Sequence, residues 1–251
     1  MELQSKWDYA LPSKSEARAQ YLMKNGDKGV KSLDAIRKEV GKEKEQAFSE
    51  YLYHLHNIDR MSLDARFGVD NKAVFGDSVT AEDSQRIVAA MEEANPEFES
   101  WAKDVYTYNK HLRKMLVDEG VISQETSDLW EKMYPHYVPV RRVDQEGLNI
   151  NVPLDTNKTG VNAPVKRATG GSSDILPLFD TMAQRTIQTY KAVARNSFGV
   201  ELKNTLGGGA IANEAQNVDD VIDSIDFQEE LLKAGTKGGK PTFTVFENGE
   251  R

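Results

Sequence analysis

Apolar residues recur at helical spacing through most of this chain, and Gly, Asn and Pro cut the pattern into segments. Ser13 or Ser15 can cap a helix over 16–25 that Asn25-Gly26 stops. Ser32 caps a second over 33–40, where Leu33, Ile36, Arg37 and Val40 share a face and Gly41 ends it. Trp7, Tyr9 and Leu11 ahead of them are an apolar lead-in expected to dock on a neighbour. A longer helix, 42–64, sets Phe48, Leu52, Leu55, Ile58 or Asp59, and Ser62 or Leu63 on one stripe, widened by Tyr51 and Met61. Ala73-Val74-Phe75-Gly76 is a short connector to the capping box of Thr80 and Asp83, which predicts a helix over 81–94 with Ile87, Val88, Ala90 and Met91 as its apolar set. Asn95-Pro96 predicts an immediate restart, with Asn95 as cap. From Phe98 and Trp101 to Leu112 and Leu116 one face stays apolar until Gly120 stops the helix, and Ser123 caps the next, 124–133, which carries Leu129 and Trp130.

Pro135 forbids continuation and pushes Tyr134 toward extended backbone, so 134–143 should leave the helices as an extended segment lying across them. Residues 144–174 have no period and are rich in Asn, Gly and Pro, the composition of a long functional or disordered loop. The longest helix follows, 178–206, with a stripe running from Phe179 and Met182 through Tyr190 and Val193 to Phe198 and Leu202, and Gly207-Gly208-Gly209 breaks it. Short helices over 218–225 and 227–233 and a strand over 242–246 complete the pattern. Asn248-Gly249 after that strand is a hairpin signal without its returning strand, so the sequence predicts a piece of a longer protein with a β-rich continuation. The expected fold is mainly α: a helical bundle with an extended crossing segment and a long C-terminal helix, plus a small incomplete α+β tail. Three parts follow: satellite helices in 1–41 that pack on the helix after them, a helical module in 42–206, and the incomplete piece in 207–251.

Composition narrows the function classes. The chain's 251 residues suffice for a real core, and 29% charged with 39% hydrophobic residues is a polar, helical profile. A net charge of −8 argues against indiscriminate coating of nucleic acid. Having no cysteine excludes disulfide scaffolds, thiol catalysis and cysteine-ligated zinc. No signal peptide is visible, and no apolar run approaches the roughly 18 residues of a membrane span.

Candidate chemistry gathers around F-S-E-Y-L-Y-H-L-H-N-I-D-R and Y-P-H-Y-V-P-V-R-R. His54 and His56 lie two apart, about 200° around a helix, so they cannot share a metal; no metal or cofactor is expected. His56, Asp59 and Arg60 with Tyr134, His136, Tyr137 and Arg141 are read as a polar lock that fixes how the extended segment crosses the bundle. Two other readings stand beside it. One is a hydrolase in which His56, Asp59 and His136 supply acid–base chemistry; the other is an anion pocket of Arg60, Arg141 and Arg142. The lock is preferred because no nucleophile motif accompanies the histidines. R-A-T-G-G-S-S-D and N-T-L-G-G-G-A lack the spacing or the preceding strand of a phosphate loop. Between 139 and 204 nine Lys/Arg face six Asp/Glu, which makes Arg142, Lys158, Lys166, Arg167, Arg185, Lys191 and Arg195 candidate contacts for a nucleic-acid backbone.

Several strings resemble a known family. Y-L-Y-H-L-H-N-I-D-R, K-A-V-F-G, N-P-E-F, D-E-G-V-I-S, M-Y-P-H-Y-V-P-V-R-R, L-P-L-F-D-T-M-A and A-V-A-R-N-S-F-G together look like a helical module of the large polyvalent protein-associated domains. The likeness covers about 48–206. Such modules sit between enzymatic domains in very long proteins of tailed bacteriophages and mobile elements. The resemblance implies a virion-packaged or mobile-element protein, found in the virion and delivered with DNA at infection or found in the bacterial cytoplasm, with partners among the other domains of its own polypeptide and among phage or host proteins. It assigns no catalytic residue to the module. The leading expectation is therefore a non-enzymatic structural or interaction module, the alternative a nucleic-acid-contacting module, and the third reading the hydrolase.

Overall fold

A computed structural model describes residues 12–67, 74–75, 79–141, 175–206 and 245–248, and its described part is mainly helical. Six helices follow in order: α1 (Pro12–Asn25), α2 (Leu33–Phe67), α3 (Ala81–Ala94), α4 (Phe98–Asp118), α5 (Gln124–Met133) and α6 (Leu178–Leu206). The Trp7–Leu11 lead-in, the loop 144–174, the helices expected at 218–225 and 227–233, and residues 242–244 of the expected strand lie outside the described residues.

Local chemistry sets most of the ends. Ser32 Oγ accepts from the Ala35 amide at 3.1 Å and starts α2. Gly41, at φ 71 and ψ 154, breaks α2 into two helices, a backbone that a residue with a Cβ resists. Arg37 and Glu45 brace that break with two hydrogen bonds of 2.7 and 3.0 Å. Thr80 and Asp83 form a reciprocal capping box at α3, and Ser123 Oγ accepts from the Thr126 amide at α5. At the end of α4 the Val121 amide reaches Leu116 O at 2.9 Å and the Gly120 amide reaches Val117 O at 2.9 Å, a Schellman closure. Asn95 departs from expectation. Its amide and its side chain both bond Met91 O, so it finishes α3, while a separate turn through Pro96 and Glu97 precedes α4.

The helix α2 packs against each of the other five, and α6 in turn lies against α1, α2 and α4. One core runs through the assembly. It includes Leu22, Leu33, Ile36, Phe48, Leu52, Phe98, Tyr108, Leu112, Val138, Phe179 and Met182. Leu22 of α1 and Ile36 before the kink belong to this core. The first helix packs chiefly on α6 and also touches α2, the helix that follows it. A smaller cluster of Leu116, Val121, Ile122 and Val193 closes the far end of α4. Trp130 borders that cluster, whereas Leu129 is 51% exposed. Among the described residues no helix is long and apolar enough to cross a membrane.

Candidate functional site

Because α2 is surrounded, the polar positions of its central stretch are buried along with the apolar ones. Ser49, His54, His56, Asn57, Asp59 and Arg60 are each under 9% exposed. Buried polar groups need partners, and α2 supplies them on two opposite sides.

Toward α3, Asn57 Nδ2 donates to Ser84 Oγ at 2.9 Å, and His54 Nδ1 meets the same hydroxyl at 3.1 Å. Asn57 Oδ1 also accepts from the Val74 amide at 2.6 Å, which pins the connector, and the His54 ring stacks on Phe75 at 4.3 Å. Burial holds His54 below its ordinary pKa.

The other side faces residues 134–141. Asp59 accepts twice from His136: its Oδ2 takes the main-chain amide at 2.7 Å and its Oδ1 takes ring Nδ1 at 2.9 Å. That second bond raises the His136 pKa, opposed by partial burial. The His56 ring lies against Tyr137 edge-on at 5.5 Å and against Tyr134 at 5.8 Å. Its Nδ1 is buried with no partner, and burial, reinforced by the Arg60 and His136 charges, pushes its pKa down to about 3. At physiological pH it is a neutral ring. Arg60 is 5% exposed beside it. Thus His136, and not His56, is the imidazole oriented by the carboxylate.

Main-chain groups of the crossing segment are held by further side chains. Asn109 Nδ2 donates to Tyr137 O at 3.1 Å, and the Leu176 amide donates to Arg141 O at 2.8 Å. Tyr53 Oη donates to Leu176 O at 2.9 Å, so the incoming end of α6 is tied to α2 as well. Arg141 donates through Nη2 to Gln188, and burial with Arg185 nearby lowers its pKa. Arg141 thus reaches α6 through Gln188.

Of the sequence candidates, then, His56, Asp59, Arg60, Tyr134, His136 and Tyr137 gather at one side of α2, and Arg141 marks the exit of the segment. Arg142, Lys158, Lys166 and Arg167 lie outside the described residues. Arg185, Lys191 and Arg195 all lie on α6, and Lys191 forms an ion pair with Glu16 of α1. That pair offsets the Lys191 charge at the contact of α1 with α6. Tyr53, Tyr106, Asn109 and Gln188 were missed by sequence reasoning. Tyr106 stands edge-on to His136 at 5.7 Å with a buried, unpartnered hydroxyl. Tyr106 and Asn109 sit three apart on the flank of the α4 stripe, and polar residues on a stripe's edge were the available signal.

An imidazole fixed through Nδ1 is a geometry that general bases use. Here, however, the same carboxylate also takes the His136 main-chain amide, so Asp59 fastens backbone as much as it orients a ring. Among the described residues no three His, Asp or Glu side chains are grouped to hold a metal. Comparisons with protein-family models, with curated proteins and with solved structures found no match to this chain.

Proposed function

We propose that this chain is a non-enzymatic structural and interaction module of a multidomain phage or mobile-element protein, carried in the virion or acting in the bacterial cytoplasm. One observation carries the non-enzymatic part. The polar side chains around the histidines are bonded to main chain: Asp59 to the His136 amide as well as to its ring, Asn109 to Tyr137 O, Tyr53 to Leu176 O. Those bonds hold a crossing segment in place and leave a rigid surface on which neighbouring domains can rest. The phage placement is supported by the string likeness between 48 and 206, and the parent reading frame tests it: enzymatic domains should flank this region.

A gel-shift titration of the full chain against duplex and single-stranded DNA at low salt separates this reading from a nucleic-acid-contacting one. No shift is expected. A shift that weakens steeply with added salt, and weakens again in Arg185→Glu, would replace the proposal.

A further inference from the structure

At the opposite end of the bundle, Asn196 of α6 is 4% exposed and grips the main chain of residue 246 from both directions. The Phe246 amide donates to Asn196 Oδ1 at 2.7 Å, and Asn196 Nδ2 donates to Phe246 O at 2.9 Å. A single carboxamide thus offers the donor and acceptor that a neighbouring strand residue would offer. The same Nδ2 donates to Glu119 O at 2.8 Å, which fixes the amide's orientation against the end of α4.

Two further features fit an extended chain there. Gly120, at φ 70, lets the backbone pass close: a Cβ on it would lie 3.2 Å from the Asn248 amide nitrogen and 3.6 Å from Phe246 O. Lys203, two turns along α6, pairs with Glu247 at 2.7 Å. The named contacts use main chain at 246 and 248 and one carboxylate at 247, and none uses the side chain of residue 246.

From this we infer that the notch formed by Gly120, Asn196 and Lys203 is an exchangeable docking site for a peptide that is clamped by its main chain at one residue, bears a carboxylate at the next and turns at the third, where Asn248 has φ 52. The chain's own residues 246–248 fill it in cis. Main-chain readout with a single charge is the mode by which sheet-edge receptors accept varied peptides. Val245 and Phe246 are half-buried and Glu247 and Asn248 exposed while docked, so partial apolar burial and a handful of polar contacts hold the segment, a grip that a competing peptide can displace. The inference goes beyond the proposed function and stands independently of it, since it concerns a different end of the bundle and any parent protein.

The test uses the whole chain. With no native cysteine, Arg251→Cys accepts one fluorophore whose anisotropy reports whether the tail is held. Unlabelled peptide T-V-F-E-N-G-E-R, the sequence of 244–251, should lower the anisotropy saturably. A peptide with Glu247→Lys should need roughly fivefold more, the equivalent of one surface ion pair. Asn196→Ala should start at low anisotropy and ignore the peptide. Should that variant fold poorly, Lys203→Glu should lower the anisotropy and adding Glu247→Lys should restore it. An anisotropy unmoved by millimolar peptide, or an Asn196→Ala tail as immobile as the parent's, would overturn the assignment.

Discussion

Replacing His56 by Phe should make the protein less sensitive to acid. His56 is 5% exposed, its Nδ1 has no partner, and its pKa falls from 6.5 to about 3. A depressed folded pKa means the unfolded chain binds the proton first as pH drops. The contribution of neutral His56 to stability is therefore complete above about pH 6.5 and drains away as pH falls toward 3. At about 1.4 kcal/mol per unit, roughly 3 kcal/mol should be gone by pH 4. Phe keeps the ring against Tyr137 and Tyr134, carries no proton, and removes a buried nitrogen whose lost hydration costs about 1–3 kcal/mol. Near pH 7.5 the variant should match or exceed the parent; by pH 4 its advantage should have grown by about 3 kcal/mol. His136 works the other way: its raised pKa gives stability present below its unfolded value and lost as pH rises through the folded one. It is present in both proteins and largely cancels from the difference. Urea titrations followed by tryptophan fluorescence at several pH values give that difference directly. Parallel stability curves for parent and variant, with a constant gap, would refute a neutral, acid-labile His56.

Three other expectations are simpler. Asp59→Ala strips two acceptors from His136 and should cost about 2–4 kcal/mol, with Asp59→Asn costing less because one acceptor remains; faster exchange of the residue-136 amide is the reading, and unchanged exchange would remove Asp59 as the fastener. Ser84→Ala takes the shared partner from both His54 and Asn57 at a site 0% exposed and should cost about 1–3 kcal/mol in a chemical melt, where a neutral result would mean that water replaces the hydroxyl. Trp101→Ala empties an edge-on contact of 5.8 Å with Phe48 and a contact of 5.7 Å with Phe98, and should cost about 3 kcal/mol by thermal denaturation; an unchanged melt would place Trp101 outside the core.

What the sequence revealed was local. Ser32, Thr80, Ser123, Gly41 and Gly120 act within four or five residues of themselves, so helix ends were legible from neighbours alone. Asn95 misled because an Asn between two helices can cap either, and its choice of Met91 O depends on backbone angles that the sequence does not state. How far around α2 the burial extends was illegible for a different reason. Helical periodicity reports one buried face, and a helix touched by five others has none to spare. Asp59 and His136 lie 77 residues apart, and only the packing of α2 against the segment after α5 brings them together. In the same way the docking of α1 on α6 follows from closure of the whole bundle, not from any pattern in α1.

The main-chain bonds around 134–141 also explain why motif reading ran out where it did. A side chain that bonds an amide or a carbonyl places no demand on the residue that carries it, so the partner's identity leaves no trace in the sequence. Such bonds are individually small, roughly 1 kcal/mol each, while ordering a free residue costs about as much or more. Three of them cannot by themselves hold an eight-residue segment. Pro135 and Pro139 lower the cost by restricting the chain before it docks, and Val138, 0% exposed, adds apolar burial at the middle. The hold is therefore shared among shape, one buried valine and a few main-chain bonds, with Asp59 and Arg141 contributing charge. Removal of Asp59 should release the segment without unfolding the core of Phe48, Phe98 and Leu112, which owes nothing to that carboxylate. Unchanged slow exchange in the core amides alongside fast exchange at 136 would be the signature of that separation; loss of protection at both together would mean that the segment and the bundle are one cooperative unit.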